Sequence, residues 1–154
     1  MICGDELDVL DHAKALVTAA KSPLSDVRSV QEALLEKNEE FLTRGALKDL
    51  EKRQKRELTA SERAGMMEVL AIIKSWLRDC LSHTVGNTEL VVNEDARESI
   101  KRSARGSTVG GITHAISSVD RARNAIERNV SPQLALEVML FDIREDFTCP
   151  MSYR

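Results

Sequence analysis

Glycine and proline are scarce in this chain, with 7 glycines and 3 prolines among 154 residues. Alternation of apolar and polar residues, the mark of a half-buried strand, is nearly absent as well, which favours an all-α fold. The 3 cysteines, Cys3, Cys80 and Cys149, stand far apart with no C-x-x-C spacing. This spacing argues against a disulfide framework and a zinc site, and fits the reducing cytoplasm.

Neither a dominant charge nor a long apolar run is present. The 22 basic and 25 acidic side chains give a net charge of −3, so no strong overall field attracts nucleic acid or anionic membranes. The longest apolar run, residues 69–73, ends at Lys74, and we expect no membrane span. The first six residues have neither a basic region nor an apolar run, so we expect no signal peptide there.

Apolar residues recur at the three- and four-residue spacing of helices that pack through one face. We predict helices over residues 5–20, 25–42, 93–105 and 109–128, a final helix from Pro132, and helical structure over residues 44–81. Thr59 and Glu62 have the spacing of a capping box, which indicates a fresh helix start. The sequence is compatible both with a break at residues 58–60 and with one long helix.

The sequence therefore predicts a single all-α domain, a bundle of about six helices with short connections. Its parts are N-terminal helices (residues 5–42), a charged helical segment (44–58), a main bundle (59–146) and a loose tail (147–154).

The final helix is apolar on almost every side. Ser131 is suited to cap it and Pro132 to fill its first position, and only Glu137 and Asp142 interrupt the apolar residues 134–143. Such a helix needs cover on more than one side, so it is either the centre of the fold or a contact surface for a partner. The candidate partner-interface residues are Trp76, Leu136, Met139, Leu140 and Ile143.

Motifs for catalysis are missing from the sequence. His12, His83 and His114 lack a partner at the spacing of helical metal ligands. The glycine-rich residues 106–111 lack the Gly-Lys-Ser/Thr and the preceding strand of a phosphate loop. We therefore expect no catalytic residue, no metal and no cofactor in this chain.

A basic segment within residues 44–57 has two interpretations. It is either a solvated helix face held by ion pairs such as Glu51–Lys55 and Asp49–Arg53, or an arm that contacts the DNA backbone without sequence specificity. The candidate contacts to DNA are Lys52, Arg53, Lys55 and Arg56.

Four segments carry a resemblance to a known family. They are residues 46–56 (ALKDLEKRQKR), 76–81 (WLRDCL), 90–93 (LVVN) and 122–137 (ARNAIERNVSPQLALE). Together they resemble the C-terminal region of the delta-prime subunits of bacterial DNA polymerase III clamp loaders, in the form seen in actinobacteria. The resemblance is good over residues 46–146 and weaker over residues 5–42.

This resemblance implies a collar domain, one of five helical domains that pack into a ring and hold ATPase-like modules in a spiral. The implied partners are the gamma/tau and delta subunits and, through the full loader, the sliding clamp and primed DNA. Delta-prime generally does not hydrolyse ATP, and the parent subunit belongs to the DNA-directed DNA polymerase III holoenzyme. The ATPase-like modules are absent from this chain, so we expect a domain fragment that is prone to self-association. The alternatives are the collar domain of a gamma/tau subunit and a free-standing helical adaptor or regulator.

Overall fold

The computed structural model describes residues 6–38 and 41–148, which form six α-helices and three short 3-10 helices. The α-helices are α1 (Glu6–Lys21), α2 (Ser25–Asn38), α3 (Arg44–Thr84), α4 (Arg97–Arg105), α5 (Val109–Glu127) and α6 (Pro132–Thr148). The described residues contain no strand, which confirms the all-α class.

The main core lies between α1, α3, α5 and α6. Helix α6 packs against both α5 and α1, and α3 crosses these two helices as well. Leu70, Leu77, Leu136 and Met139 are among its fully buried side chains. A smaller cluster under α4 joins Cys80, Val91, Ile100 and Ile112. The final helix is therefore central to the fold, one of the two alternatives that its composition left open.

Two ion pairs tie the core helices together at the surface. The Nζ of Lys74 in α3 lies 2.6 Å from a carboxylate oxygen of Asp120 in α5. The Nη2 of Arg121 in α5 lies 2.8 Å from a carboxylate oxygen of Asp142 in α6. Both pairs are half exposed, so they fix the helix positions more than they add to the free energy of unfolding.

The charged segment and the helix of Trp76 form one continuous helix, α3, of 41 residues. Of the two alternatives that the sequence left open, the structure has the long helix and no break at residues 58–60. The Thr59 hydroxyl donates to the carbonyl of Lys55, 2.8 Å away, as in the interior of a helix. At 1.5 Å per residue α3 is about 60 Å long. No residue of α3 before Met66 is buried, so its first half is largely solvated.

Helix α2 ends earlier than predicted, at Asn38 and not at Leu42, and residues 39–40 lie outside the described part of the chain. Phe41 follows in a turn and is 82% exposed. None of the residues of α2 is buried, although the spacing of Val27, Val30 and Leu34 favours an apolar stripe that faces inward. Periodicity identifies an apolar face but does not guarantee that another element covers it.

Helix α1 matches its predicted range to within a residue, and Asp5 lies outside the described residues. The spacing predicts an inward face made of Leu7, Leu10, Ala13, Val17 and Ala20. Ala13 and Ala20 are buried as predicted, Leu10 and Val17 are half-buried, and Val9 is buried in addition. The side chain of Leu7 lies outside the described part of the chain. At the other end of the chain, α6 continues to Thr148. The remainder of the predicted tail, residues 149–154, lies outside the described residues.

A tight corner turns the chain from α5 into α6. Asn129 adopts a φ of 66°, and the N–H of Val130 donates to the carbonyl of Ala125. This is the Schellman arrangement, with asparagine in the left-handed position that glycine usually takes. Pro132 is the first residue of α6, as predicted, and the carbonyl of Ser131 accepts the first helical hydrogen bond, from Ala135.

Candidate assembly groove and basic strip

An apolar groove of about 330 Å³ opens at the surface between α1, α3 and α6. We call it the apolar groove. It is lined by Val9, His12, Leu16, Ile72, Ile73, Trp76, Leu77, Leu140 and Ile143. All of these except His12 are apolar, and the groove floor is continuous with the main core. An open apolar surface of this kind is typical of a site that binds another molecule.

Three of the five predicted interface residues meet in this groove: Trp76, Leu140 and Ile143. Trp76 is half-buried, whereas Leu140 and Ile143 are only 7% and 3% exposed. The most accessible apolar side chain of the lining is Ile72, at 61% exposure, which the sequence analysis did not single out. The sequence did hold a signal for it: Ile72 stands next to the inward-facing Ile73, on a side of α3 where a solvated helix would carry a polar residue.

Leu136 and Met139 do not reach the surface. They are 0% and 1% exposed and pack in the main core, so the chain itself covers both side chains. They hold in place the helix that carries Leu140 and Ile143. Direct contact with a partner is left to the residues that line the apolar groove. Among residues 132–145, whose side chains the structure describes, the exposed large apolar side chains of α6 are Leu134 and Val138.

The first half of α3 carries a row of cations along one face. Lys52, Lys55, Arg56 and Arg63 line a shallow depression of about 530 Å³, together with Thr59 and Ala60. We call these four cations the basic strip. No acidic side chain lines the depression, and the positions share a face because they recur every three, four or seven residues.

Arg53 does not belong to the basic strip. Its Nε donates to Glu57, 3.0 Å away, on another face of α3. The pairs expected from the sequence, Glu51–Lys55 and Asp49–Arg53, do not form within the part of the chain that the structure describes. The structure thus groups three of the four predicted DNA contacts and adds Arg63, whose guanidinium also donates to the side-chain oxygen of Asn129.

A buried carboxylate holds the loop between α3 and α4. Asp79 is fully buried and its Oδ2 accepts hydrogen bonds from the backbone N–H groups of Val92 and Asn93 and from the Asn93 side chain. Burial raises the pKa of Asp79, but these hydrogen bonds and the nearby Arg78 outweigh it, so the pKa lies below its ordinary value. The Arg78 guanidinium lies 3.6 Å from Oδ1.

This contact changes the predicted role of Asn93. An asparagine followed by two acidic residues predicts a helix cap, but the Asn93 side chain makes no capping hydrogen bond and contacts Asp79 and Ser75 instead. A short 3-10 helix, Glu94–Ala96, follows, and α4 begins only at Arg97. The cluster is structural, because its polar groups are turned inward to the loop.

Side chains suited to nucleophilic or metal chemistry are not assembled in the described residues. Burial, with a smaller contribution from Asp79, raises the pKa of the Cys80 thiol to about 12, so this thiol stays protonated at neutral pH. No group of three or more metal-ligating side chains occurs within residues 6–38 and 41–148. Over the same ranges, every helix is too short or too polar to cross a membrane.

Residues 32–145, about three quarters of the chain, match the family described as DNA polymerase III, delta subunit, C terminal. No curated protein and no solved structure matches the sequence. The family match spans α3 to α5, the second half of α2, all but the last three residues of α6, and all the segments that carried the resemblance. It confirms the prediction of a clamp-loader C-terminal domain. The chain belongs to the family formed by the C-terminal domains of DNA polymerase III delta subunits.

Proposed function

We propose that this chain is the collar domain of a delta-prime subunit and works without catalysing a reaction. Its role is to pack beside the C-terminal domains of gamma/tau and delta subunits, so that the loader can place the sliding clamp on primed DNA. Membership of the family supports the assignment to a clamp-loader subunit. The charged residues 46–56, which carry the resemblance to delta-prime, favour this subunit over gamma/tau. A replication complex of this kind would act in the cytoplasm.

The observation that carries the proposal is the apolar groove. Ile72 and Trp76 expose apolar surface beside a lining that is continuous with the core, where a neighbouring helix could bury it. Full burial of one isoleucine side chain stabilises a complex by about 1.5–3 kcal/mol. A collar contact would extend beyond the groove, because a stable interface buries more than about 1,000 Å² in total.

The test of the groove is Ile72→Glu in the 154-residue chain, with Val109→Glu as the matched control. Both residues are exposed, at 61% and 47%, so neither substitution should unfold the protein. Val109 is the first residue of α5, where an acidic side chain is favourable. We expect Ile72→Glu to weaken association with gamma/tau or delta about tenfold to 100-fold, since about 1.4 kcal/mol corresponds to a factor of ten. Sedimentation of mixed subunits measures this, and equal association by the two variants would contradict the proposal.

The assignment to delta-prime has its own experiment. A loader is reconstituted with labelled gamma/tau, delta and delta-prime, and the chain is added in excess. A delta-prime collar should displace labelled delta-prime and leave the other subunits bound. Displacement of gamma/tau or delta would assign the chain to that subunit, and displacement of none would favour a free-standing adaptor.

The isolated chain should also self-associate, because its apolar groove has no neighbour in solution. Sedimentation velocity at increasing concentration should show a reversible dimer or larger species that Ile72→Glu suppresses. A strict monomer that also fails to bind other loader subunits would count against a collar role.

A further inference from the structure

We propose that the basic strip binds the phosphate backbone of duplex DNA, through charge alone and without reading sequence. The proposal concerns a surface separate from the apolar groove, so it can fail while the collar function stands. Its starting point is the clustering of Lys52, Lys55, Arg56 and Arg63 around a depression with no acidic lining residue. The whole chain carries a net charge of −3, so this local excess of positive charge does not simply reflect the overall composition.

The charges of the basic strip are available for a ligand. Lys52, Lys55 and Arg56 are exposed, and within the described residues none of them lies in an ion pair. Glu62, which lies next to Arg63 in α3, is engaged by Lys21 at 3.8 Å and by Arg28 at 2.9 Å. Asp49 and Glu51 flank the strip on α3 and leave its positive charge in excess.

The spacing of the strip suits a repeating anion. At 1.5 Å per residue, Lys52 and Arg56 are about 6 Å apart along the axis of α3, and Lys52 and Arg63 about 16 Å. A rigid helix can therefore reach several phosphates of one strand, which follow one another every 3.4 Å along a duplex axis. The uninterrupted course of α3 keeps these distances fixed.

The lining of the depression also indicates what is not recognised. Apart from the cations it offers Thr59 and Ala60, so it has no large apolar pocket to anchor a side chain of an acidic peptide. No aromatic residue lines it either, and single-strand binding proteins depend on aromatic side chains for stacking of bases. Charge density then decides the partner, and duplex DNA has the higher charge density.

The test measures binding of the chain to a labelled mixed-sequence duplex by fluorescence anisotropy between about 50 and 200 mM salt. Four phosphate contacts give a slope of log K against log salt of about −3.6, and the variant K52Q/K55Q/R56Q should reduce it to about −0.9. The control R53Q/R102Q/R105Q also removes three positive charges, but from exposed positions outside the strip. It should keep most of the slope and the affinity. All substituted residues are exposed, and circular dichroism verifies folding.

Three results would overturn the proposal. One is no binding of the parent chain to the duplex at the lowest salt. Another is an equal loss of slope in the two variants, which would mean that only net charge matters. The third is tighter binding to a single strand of the same sequence, or to polyglutamate of the same charge, than to the duplex.

Discussion

Gly65 allows α3 to approach the backbone at the end of α1 closely, and replacing it by alanine tests that packing. A Cβ at Gly65 would lie 2.7 Å from the backbone carbonyl oxygen of Ala20, at the end of α1, where ordinary contacts begin at about 3.4 Å. The obstacle is the main chain, so it cannot rotate away as a side chain would. Either α1 or α3 has to move by several tenths of an ångström.

The magnitude follows from two opposing effects. Forcing an extra carbon into a packed contact costs about 1–3 kcal/mol. Replacing glycine by alanine inside a helix returns about 1 kcal/mol. Because the contact is with backbone, we expect the steric cost to lie at the upper end and Gly65→Ala to lower the free energy of unfolding by about 1–2 kcal/mol.

Gly45→Ala is the matched control. Gly45 lies in the same helix, and nothing stands within 4 Å of the position that its Cβ would take. Only the conformational effect remains there, so the control should be neutral or more stable by up to about 1 kcal/mol. Urea unfolding at 25 °C, with m values compared, measures both variants. If Gly65→Ala is as stable as Gly45→Ala, α1 does not pack on α3 as described.

Three further substitutions probe the core, the loop and the corner. Leu136→Ala should cost about 2–5 kcal/mol because the side chain is fully buried, whereas Val138→Ala, at 54% exposure, should stay within about 0.5 kcal/mol; urea unfolding compares them. The lowered pKa of Asp79 means that its stabilising effect is present above the unfolded pKa near 3.8 and is lost as pH falls through the folded value. Asp79→Asn should therefore be less stable than the parent at pH 7, with a smaller difference near pH 3, in unfolding at both pH values. Asn129→Ala should lose about 1 kcal/mol from its φ of 66°, and Asn129→Gly should lose less; equal thermal midpoints for the two would contradict a left-handed residue at this corner.

The spacing of apolar residues predicted the helices and the part of the core that α5 and α6 contribute. The apolar positions of α5, with Ile112, Val119 and Ile126, lie inward as their spacing indicated. This segment has a dense apolar stripe, a capping residue at its start (Thr108) and a left-handed asparagine after its end (Asn129), so no other secondary structure fits it as well. Helix α1 shows the limit of this reasoning: Leu10 and Val9 are adjacent and both apolar, and the positions of α3 and α6 decide that Val9 is the one in the core.

Contacts between residues far apart in the chain could not be predicted from the sequence. Asp79 and Asn93 each look like a solvated or capping residue, and their pairing depends on how the loop folds back on α3. The close approach at Gly65 likewise depends on the path of α1. For the candidate site, Trp76 was predicted from the sequence but Ile72 was not. The exposure of Ile72 depends on which helices pack beside α3, and the spacing of residues does not show this.

Helix α3 joins the two candidate surfaces into one rigid unit. The sixteen residues from Arg56 to Ile72 correspond to about 24 Å along its axis. Lys55 and Ile73 are eighteen residues or five full turns apart, so the two surfaces share a side of α3 and are separated along its axis: nine residues, or about 14 Å, lie between Arg63 and Ile72. A protein seated in the groove would contact the second half of α3, whereas the cations lie on the first half. Binding there would also fix the orientation of the cations, because α3 runs unbroken between the two surfaces and a rotation of one end rotates the other.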